Sequence, residues 1–338
     1  MHNIFKITFL QYSYISFIHN YILFKMPNIF SLEINNKAHS ESVTSMTIPF
    51  ENPNIIVSGS RDKTIIVWEI NKTEEFSIVP LKRLKGHSHF VSDVKFSSDG
   101  QFCISSSWDN SLRLWDIGSG KTIQNFLGHQ KDVLSLCFSK DERQIISGSR
   151  DGTIKLWNTV GKCKKTFKEN TKNYWIIFVY FLPFDSPSFL SCSWDGTIDI
   201  WDMTLNKIKN RLKGHKGYVE AITISPDSSL CASGGQSGEV MLWDLLEGKH
   251  LYSLVAGEKI HSICFSPNRY WLCASTSNNI LVWDLESKEI IDRIETRDGE
   301  NEKKTDNSFC ISMIWSRDGS GLFTGFKGGQ IKFWKLNN

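Results

Sequence analysis

Along most of the chain, apolar and polar residues alternate with a period of two in runs of five to seven, broken by short clusters of Gly, Asp, Asn and Ser. From Val91 onward, VSDVKFS reads as an alternating strand, SDGQ as a turn, FCISSS as a second strand and WDNS as a tight hairpin turn. LRLWDI is a third strand, and KTIQNF supplies a fourth. The hairpin carries Asp-Asn here, and Asp-Lys or Asp-Gly elsewhere. These pairs suit a two-residue turn, because Asp, Asn and Gly tolerate positive φ.

The same unit recurs. An Asp stands six residues before a Trp at Asp62/Trp68, Asp109/Trp115, Asp151/Trp157 and Asp195/Trp201. Trp243, Trp283 and Trp334 close three more units in which Ser237, Ser277 and Gly328 replace the acid. The seven Trp residues are separated by 47, 42, 44, 42, 40 and 51 residues. Gly86-His87, Gly128-His129 and Gly214-His215 open three units, with Ala38-His39 as a variant. A period near 40–45 with Gly-His early and Trp-Asp late marks a four-stranded blade. The expectation is an all-β fold, a seven-bladed WD40 β-propeller. Blades stacked around an axis cover the two faces that one sheet leaves open.

The acid has a structural reading. His39, His87 and His129 lie 23, 22 and 22 residues before Asp62, Asp109 and Asp151. Each unit also has a Ser two residues before the Asp (Ser60, Ser107, Ser149) and a Trp six after it (Trp68, Trp115, Trp157). The expected tetrad runs from indole N–H to hydroxyl to imidazole to carboxylate, satisfying groups whose stranding costs about 1–3 kcal/mol each. A Ser-His-Asp catalytic triad would occur once; this set repeats in register with the fold, so it reads as structural.

Composition narrows the rest. The 338 residues carry a net charge of +3, with 22% charged residues and only 8 Pro, which argues against a large disordered fraction. Cys103, Cys137, Cys192, Cys231, Cys264, Cys273 and Cys310 lie in apolar strand runs and Cys163 in a turn, with no Cys-x-x-Cys pair. These read as reduced thiols of a cytoplasmic protein, with no metal site, cofactor or disulfide framework. Residues 1–25 stand apart. They lack Gly, Ala, Val, Pro, Arg, Asp and Glu, and 16 of the 25 are Ile, Phe, Asn, Lys or Tyr, the residues with the most A- and T-rich codons. Gln11, Ser13, Ser16, His19 and Asn20 interrupt the apolar run, which fits neither a signal peptide nor a membrane span. The segment reads as a disordered or untranslated extension. Residues 26–338 then form a single propeller, whose ring is closed by a strand near 29–34.

The strings LKGHSHFVSDVKFSSDGQF, LGHQKDVLSLCFSKDERQIISGSRDGTIKLW, MLWDLLEGKHLYSL and CFSPNRYWLCAS resemble the family of receptors for activated C kinase, scaffolds of the Gβ-like group. The resemblance runs from about Ile34 to Leu336. It implies a non-catalytic adaptor on the head of the small ribosomal subunit, touching ribosomal RNA and ribosomal proteins. Docked protein kinases, protein kinase C among them, and other signalling proteins would be its further partners. No membrane insertion and no small-molecule substrate are implied. Other classes stay in view: a G-protein β subunit would need a heptad helix before the first unit, which Met1–Ala38 lacks. An enzyme would need a unique cluster of acid, base or ligands, and only repeated ones occur.

Departures from the family pattern are local. Lys172 or Asn173 stands where the fourth unit should place its His. NYWIIFVYFLPFDSPSF is unusually apolar, either as a partner patch or as a tightly packed blade. Glu295–Asn307 is a charged insertion read as a mobile loop, at a place where the family carries a protruding knob.

The basic residues suggest an interface. Arg61 and Lys63 should project from a turn on one rim of the ring, with Lys82, Arg83 and Lys85 nearby and Arg150 and Lys155 on the same rim two blades on. Two readings fit: a clustered basic face that neutralises phosphates, or cations that merely keep the surface soluble. In the family such turn residues face ribosomal RNA, and Arg61 and Lys63 match that motif; Gly152 stands where Lys is usual. One expectation is independent of any fold. Intact-mass measurement on the endogenous protein should give a chain beginning at Met26 or Pro27, and a mass that includes residues 1–25 would overturn it.

Overall fold

The computed structural model describes residues 29–72, 76–169, 174–183, 187–296 and 309–337. These form seven four-stranded antiparallel sheets arranged as the blades of a propeller, with no helix among the described residues. Blade 1 spans Val43–Lys85, blade 2 Val91–Leu127, blade 3 Val133–Lys168 and blade 4 Ile176–Leu212. Blade 5 spans Val219–Val255, blade 6 Ser262–Glu295 and blade 7 Cys310–Leu336. In blade 2 the strands are Val91–Phe96, Phe102–Ser107, Ser111–Asp116 and Lys121–Leu127, close to the alternation in the sequence. The first strand of each blade lines the axis and the fourth faces outward.

The ring is closed by chain ends that meet. Phe30–Lys37 pairs antiparallel with Gln330–Leu336 and becomes the outer strand of blade 7. Phe30 packs edge-on against Trp315, with ring centroids 5.7 Å apart. On the inner side the Ser312 hydroxyl donates to the Val43 carbonyl at 3.0 Å, and Arg317 donates to the carbonyls of Ile48 and Pro49 at 2.6 and 3.3 Å. Residues 1–28 lie outside the described residues, as do 170–173 and most of the charged insertion.

The hydrophobic core is divided among the gaps between blades. Val57, Ile65, Val67 and Leu84 of blade 1 pack on Val91, Val94, Cys103 and Trp115 of blade 2. Gly59 explains the small residue at the centre of the SGS string. A side-chain carbon there would sit 2.8 Å from Val91, so only hydrogen lets the inner strands of neighbouring blades approach. All seven cysteines in the strand runs are buried and unpaired; Cys163 begins the outer strand of blade 3 rather than lying in a turn.

Around the axis runs a channel of about 820 Å³. Asp93 and Lys95 face it as an ion pair of 3.0 Å, and Asp93 also accepts from the hydroxyls of Ser45 at 2.7 Å and Ser135 at 3.3 Å, which ties blades 1, 2 and 3. The apolar stretch of blade 4 is divided by its alternation. Ile176, Val179 and Leu182 are buried, while Ile177, Phe178 and Tyr180 line the channel. Within the strand it is packing and channel wall, while Tyr174 just before the strand is exposed.

A chain that begins at Ala38 lacks the outer strand of blade 7. Removing Phe30 from beside Trp315 alone costs about 1.5–3 kcal/mol of burial, and one edge of the Gln330–Leu336 strand loses its partner. Urea unfolding should show a clearly lower midpoint than the full chain. An equal midpoint would mean that the ring does not depend on this strand.

Candidate functional site

In six blades the second strand turns into the third through three residues, and in blade 4 through four. In blade 1 these are Arg61, Asp62 and Lys63, closed by Lys63 N–H to Ser60 C=O at 3.2 Å. The expected two-residue turn with a positive-φ Asp is therefore corrected. Only the residue after the acid enters the left-handed region: Lys63 at φ 68°, Asn110 at 67°, Gly152 at 75° and Gly196 at 84°. This is the three-residue hairpin, whose last position needs positive φ. Arg61 N–H donates to Ser42 C=O at 3.0 Å, seating the turn on the entry to the innermost strand.

The acid belongs to a tetrad, though not with the expected serine. His39 Nδ1 lies 2.8 Å from Asp62 Oδ2 and His39 Nε2 lies 2.8 Å from Ser58 Oγ, while the Trp68 indole N–H donates to Ser58 Oγ at 2.8 Å. Blade 2 repeats this with His87, Asp109, Ser105 and Trp115 at 2.7–2.8 Å. Blade 3 repeats it with His129, Asp151, Ser147 and Trp157 at 2.8–2.9 Å. The carboxylate only accepts, so Nδ1 carries the proton and Nε2 accepts from the serine.

Ser60, Ser107 and Ser149 are thus corrected to Ser58, Ser105 and Ser147, one alternation further into the strand. The outer serines point to the same side but sit at the strand end, where the turn uses them. Each accepts the N–H of its Asp at 3.1 Å and donates to a loop carbonyl.

Burial alone would raise the three carboxyls. The imidazole bond and charge outweigh it, with help from the hydroxyls of Thr64, Ser111 and Thr153, and hold all three well below the usual carboxylate range. Burial pushes His129 down despite Asp151. Blade 5, which has Ser237 in place of the acid, keeps His215 on Ser233 at 2.6 Å; burial and the nearby His250 push its imidazole down to about 4. Blade 4 uses a bidentate pair, Arg211 to Asp199 at 2.7 and 3.0 Å, extended to Glu169 at 2.9 Å.

The basic residues divide into free and engaged. Arg61, Lys63 and Lys85 are exposed and make no ion pair among the described residues. Lys85 stands opposite Thr64 in register and so shares the turn's end of the blade. Arg61 also hangs over the Phe90 ring of blade 2 at 5.8 Å. Lys82 does not join them. It falls on the same side as buried Leu84, and its amine donates to the Ile117 and Gly118 carbonyls, in the turn at the opposite end of blade 2.

Arg150 is half-buried, bonded to Asp132 at 2.6 Å and stacked on Trp175 at 3.9 Å. Lys155 is half-buried and donates to Thr166 at 3.0 Å. Arg83 belongs with the free group's surface although its register alone did not single it out. It reaches the Ala38 carbonyl at 2.6 Å and lies 3.8 Å from Asp62. Its signal in the sequence is its alternation with Leu84, which places it on the side facing away from Lys82. Among the described residues no group of His, Cys, Asp and Glu is placed to hold a metal ion, and no helix is long and apolar enough to cross a membrane.

The tetrads give a stability test. Ser105→Ala and Asp109→Ala should each cost about 1–3 kcal/mol, because they strand a buried His87 or Trp115 donor, and Ser237→Ala should cost less. Depressed carboxyls contribute stability that is complete above about pH 4, the unfolded value, and is lost progressively below it, down through the lower folded value. His129 adds a loss that begins as the pH falls through about 6.5. Urea unfolding of the wild type should weaken steadily from pH 7 to pH 3, with a shallower dependence in Asp109→Asn. Equal slopes in the two proteins would refute the carboxylate account.

Comparison with known proteins agrees with this architecture. The family model "WD domain, G-beta repeat" matches residues 30–69, 78–116, 120–158, 161–202, 206–244 and 248–284. The unmatched remainder holds most of the seventh blade. The chain is 50% identical over 303 residues to "Cross-pathway control WD-repeat protein 2" of Flammulina velutipes, covering 89% of this chain and 96% of that protein. It is 51% identical over 299 residues to "MST50-interacting protein 11" of Pyricularia oryzae, covering 88% and 95%. With six matched repeats and seven blades, this chain belongs to the WD-domain, G-beta repeat family.

Proposed function

We propose that this propeller is a cytoplasmic, non-catalytic adaptor of the kind named for activated C kinase. It binds the head of the small ribosomal subunit through the exposed cations at the mouth of blade 1, and it docks protein kinases and other signalling proteins. The observation that carries the reading is Lys63. It holds φ 68°, where the equivalent turns of blades 3, 4, 5 and 7 have Gly. A lysine there costs roughly 1–2 kcal/mol relative to glycine in backbone strain, and it gains nothing from packing because it is exposed. Strain of this kind collects at functional positions. Beside it Arg61 is exposed, and the acid between them is spent on His39. Two free cations on a rigid turn, with Lys85 at the same end of the blade, suit a phosphate backbone read by shape.

A catalytic role has less support. The Ser-His-Asp sets recur in three blades, and Ser58, Ser105 and Ser147 are buried with their hydroxyls shared between an indole and an imidazole. None of these three hydroxyls is left to attack a substrate, and no cofactor enters this reading. The relatives' names fit an adaptor: one speaks of cross-pathway control, the other of interaction with MST50.

Arg61→Asp with Lys63→Glu should release the protein from small subunits in sedimentation through a sucrose cushion at moderate salt while circular dichroism stays unchanged. Each lost phosphate contact lowers the slope of log affinity against log salt by roughly 0.7–0.9. Lys63→Gly separates the two contributions. It should raise stability by about 1 kcal/mol and still weaken ribosome binding. A folded double variant that travels with the subunit as well as wild type would overturn the assignment.

A further inference from the structure

A second surface lies across the channel mouth from blade 1. In six blades the residue before the acid position donates its N–H to the residue that precedes the inner strand: Arg61 to Ser42, Trp108 to Phe90, Arg150 to Asp132, Trp194 to Trp175, Gln236 to Tyr218 and Lys327 to Phe309, all at 2.9–3.1 Å. These bonds seat two side chains side by side at the mouth of each blade. Three blades' seats and Lys259, on the loop that enters blade 6, form one ladder: Arg150 over Trp175 at 3.9 Å, Trp175 on Trp194 at 5.0 Å, Trp194 on Tyr218 at 4.4 Å with the rings 4° apart, and Lys259 over Tyr218 at 5.4 Å.

Lys259 closes one end of the ladder, and at the other Arg150 lies between Trp175 and, at 5.4 Å, Trp108 of blade 2, so the ring faces are used internally and the edges are presented outward. Trp194 is 40% exposed and neighbouring Tyr174 45%. Lys213 and Lys216 lie on the loop against the Trp194 turn: a side-chain carbon on Gly196 would be 2.6 Å from the Gly217 carbonyl and 3.4 Å from His215. Both lysines are exposed and make no ion pair among the described residues. The acids on the same turns and strands are spent. Asp195 accepts from Thr197, and Glu220 is held by Lys259 at 2.7 Å and His261 at 3.3 Å.

We propose that the Trp175–Trp194–Tyr218 ladder with Lys213 and Lys216 is a docking site for an acidic segment of a partner protein that carries an apolar or aromatic anchor. The electropositive ring edges and the two lysines complement carboxylates, and the exposed indole of Trp194 supplies the apolar contact of a binding hot spot. A nucleobase needs a free ring face, and this ladder has its faces covered by cations and by one another. Its two lysines stand on the loop that enters blade 5, away from the blade 1 turn, although a row of contacts, Trp175–Arg150–Trp108–Phe90–Arg61, runs between the two places.

The test is fluorescence polarisation with three labelled probes: a short peptide of Glu and Asp around a Phe-Leu pair, the same peptide with Lys for each acid, and oligouridylate. The acidic peptide should bind, and Lys213→Glu with Lys216→Glu should weaken it by about tenfold or more. Trp194→Ala should do the same, with thermal unfolding as its folding control. The charge variant, altered only at exposed positions, keeps the test open should Trp194→Ala unfold. Arg61→Asp with Lys63→Glu should leave peptide binding unchanged, whatever it does to ribosome binding. No binding of the acidic peptide at millimolar concentration, equal binding by the Lys213/Lys216 variant, or preference for the basic peptide or the oligouridylate would each overturn the proposal.

Discussion

The structure depends on a buried serine hydroxyl that has two partners. Ser58, Ser105 and Ser147 each accept from an indole and donate to an imidazole, and each imidazole in turn holds a carboxylate at the hairpin turn. Four segments of the chain meet at that point: the second strand, the third strand, the turn between them, and the loop that enters the blade. Hydrophobic contact between blades is non-directional and would tolerate sliding. The hydroxyl is directional, and stranding any member of its network in the interior carries a cost. The network therefore fixes how the entry loop sits on the turn, and through the turn it fixes the mouth of the propeller.

Blades that lack part of the network show what the remainder must do. Blade 7 keeps indole to hydroxyl, Trp334 to Thr324 at 2.9 Å, and blade 4 keeps Trp201 to Ser191 at 2.8 Å while adding the Arg211–Asp199 pair. In each case the strand-to-strand half survives and the loop half varies. Six blades keep the strand half; blade 6, with Cys273 where the others have a hydroxyl, is held there by apolar packing around Trp283. The loop half decides where turns stand, and turns are where partners would be met.

Much of this was legible in the chain, for reasons that can be assigned. Period-two alternation and the Trp spacing located the strands, because burial between blades acts on every second residue. The His-to-Asp spacing located the loop half of the network. The serine was misplaced because Ser58 and Ser60 share a side of the strand; only depth separates them, and depth follows from the bond that Trp68 makes ten residues away. Lys82 was grouped with Lys85 by proximity in sequence, yet alternation sends it toward blade 2. Arg150 falls on the basic rim by spacing, but its engagement is hidden from the sequence because its partners, Asp132 and Trp175, arrive from an entry loop and from another blade. Contacts within a blade follow from spacing, while contacts between blades require the ring to be closed first.

The mouth follows from the same backbone bond repeated around the axis. Because the turn's N–H finds the entry carbonyl in six blades, the side chains at those two positions stand side by side at the mouth of the blade whatever their identity. Their identity is then free to vary without cost to the core. Blade 1 uses that freedom for Arg61, whose side chain reaches only as far as Phe90, and leaves its cation exposed. Blades 4 and 5 use it for Trp175, Trp194 and Tyr218, which pack within blade 4 and across its boundary with blade 5, and blade 2 uses it for Phe90 and Trp108. The constraint is structural and repeated, and the variation it permits is local. One face of a symmetric ring can thus carry a basic sector and an aromatic sector, each held by the hydrogen bonds that hold the fold.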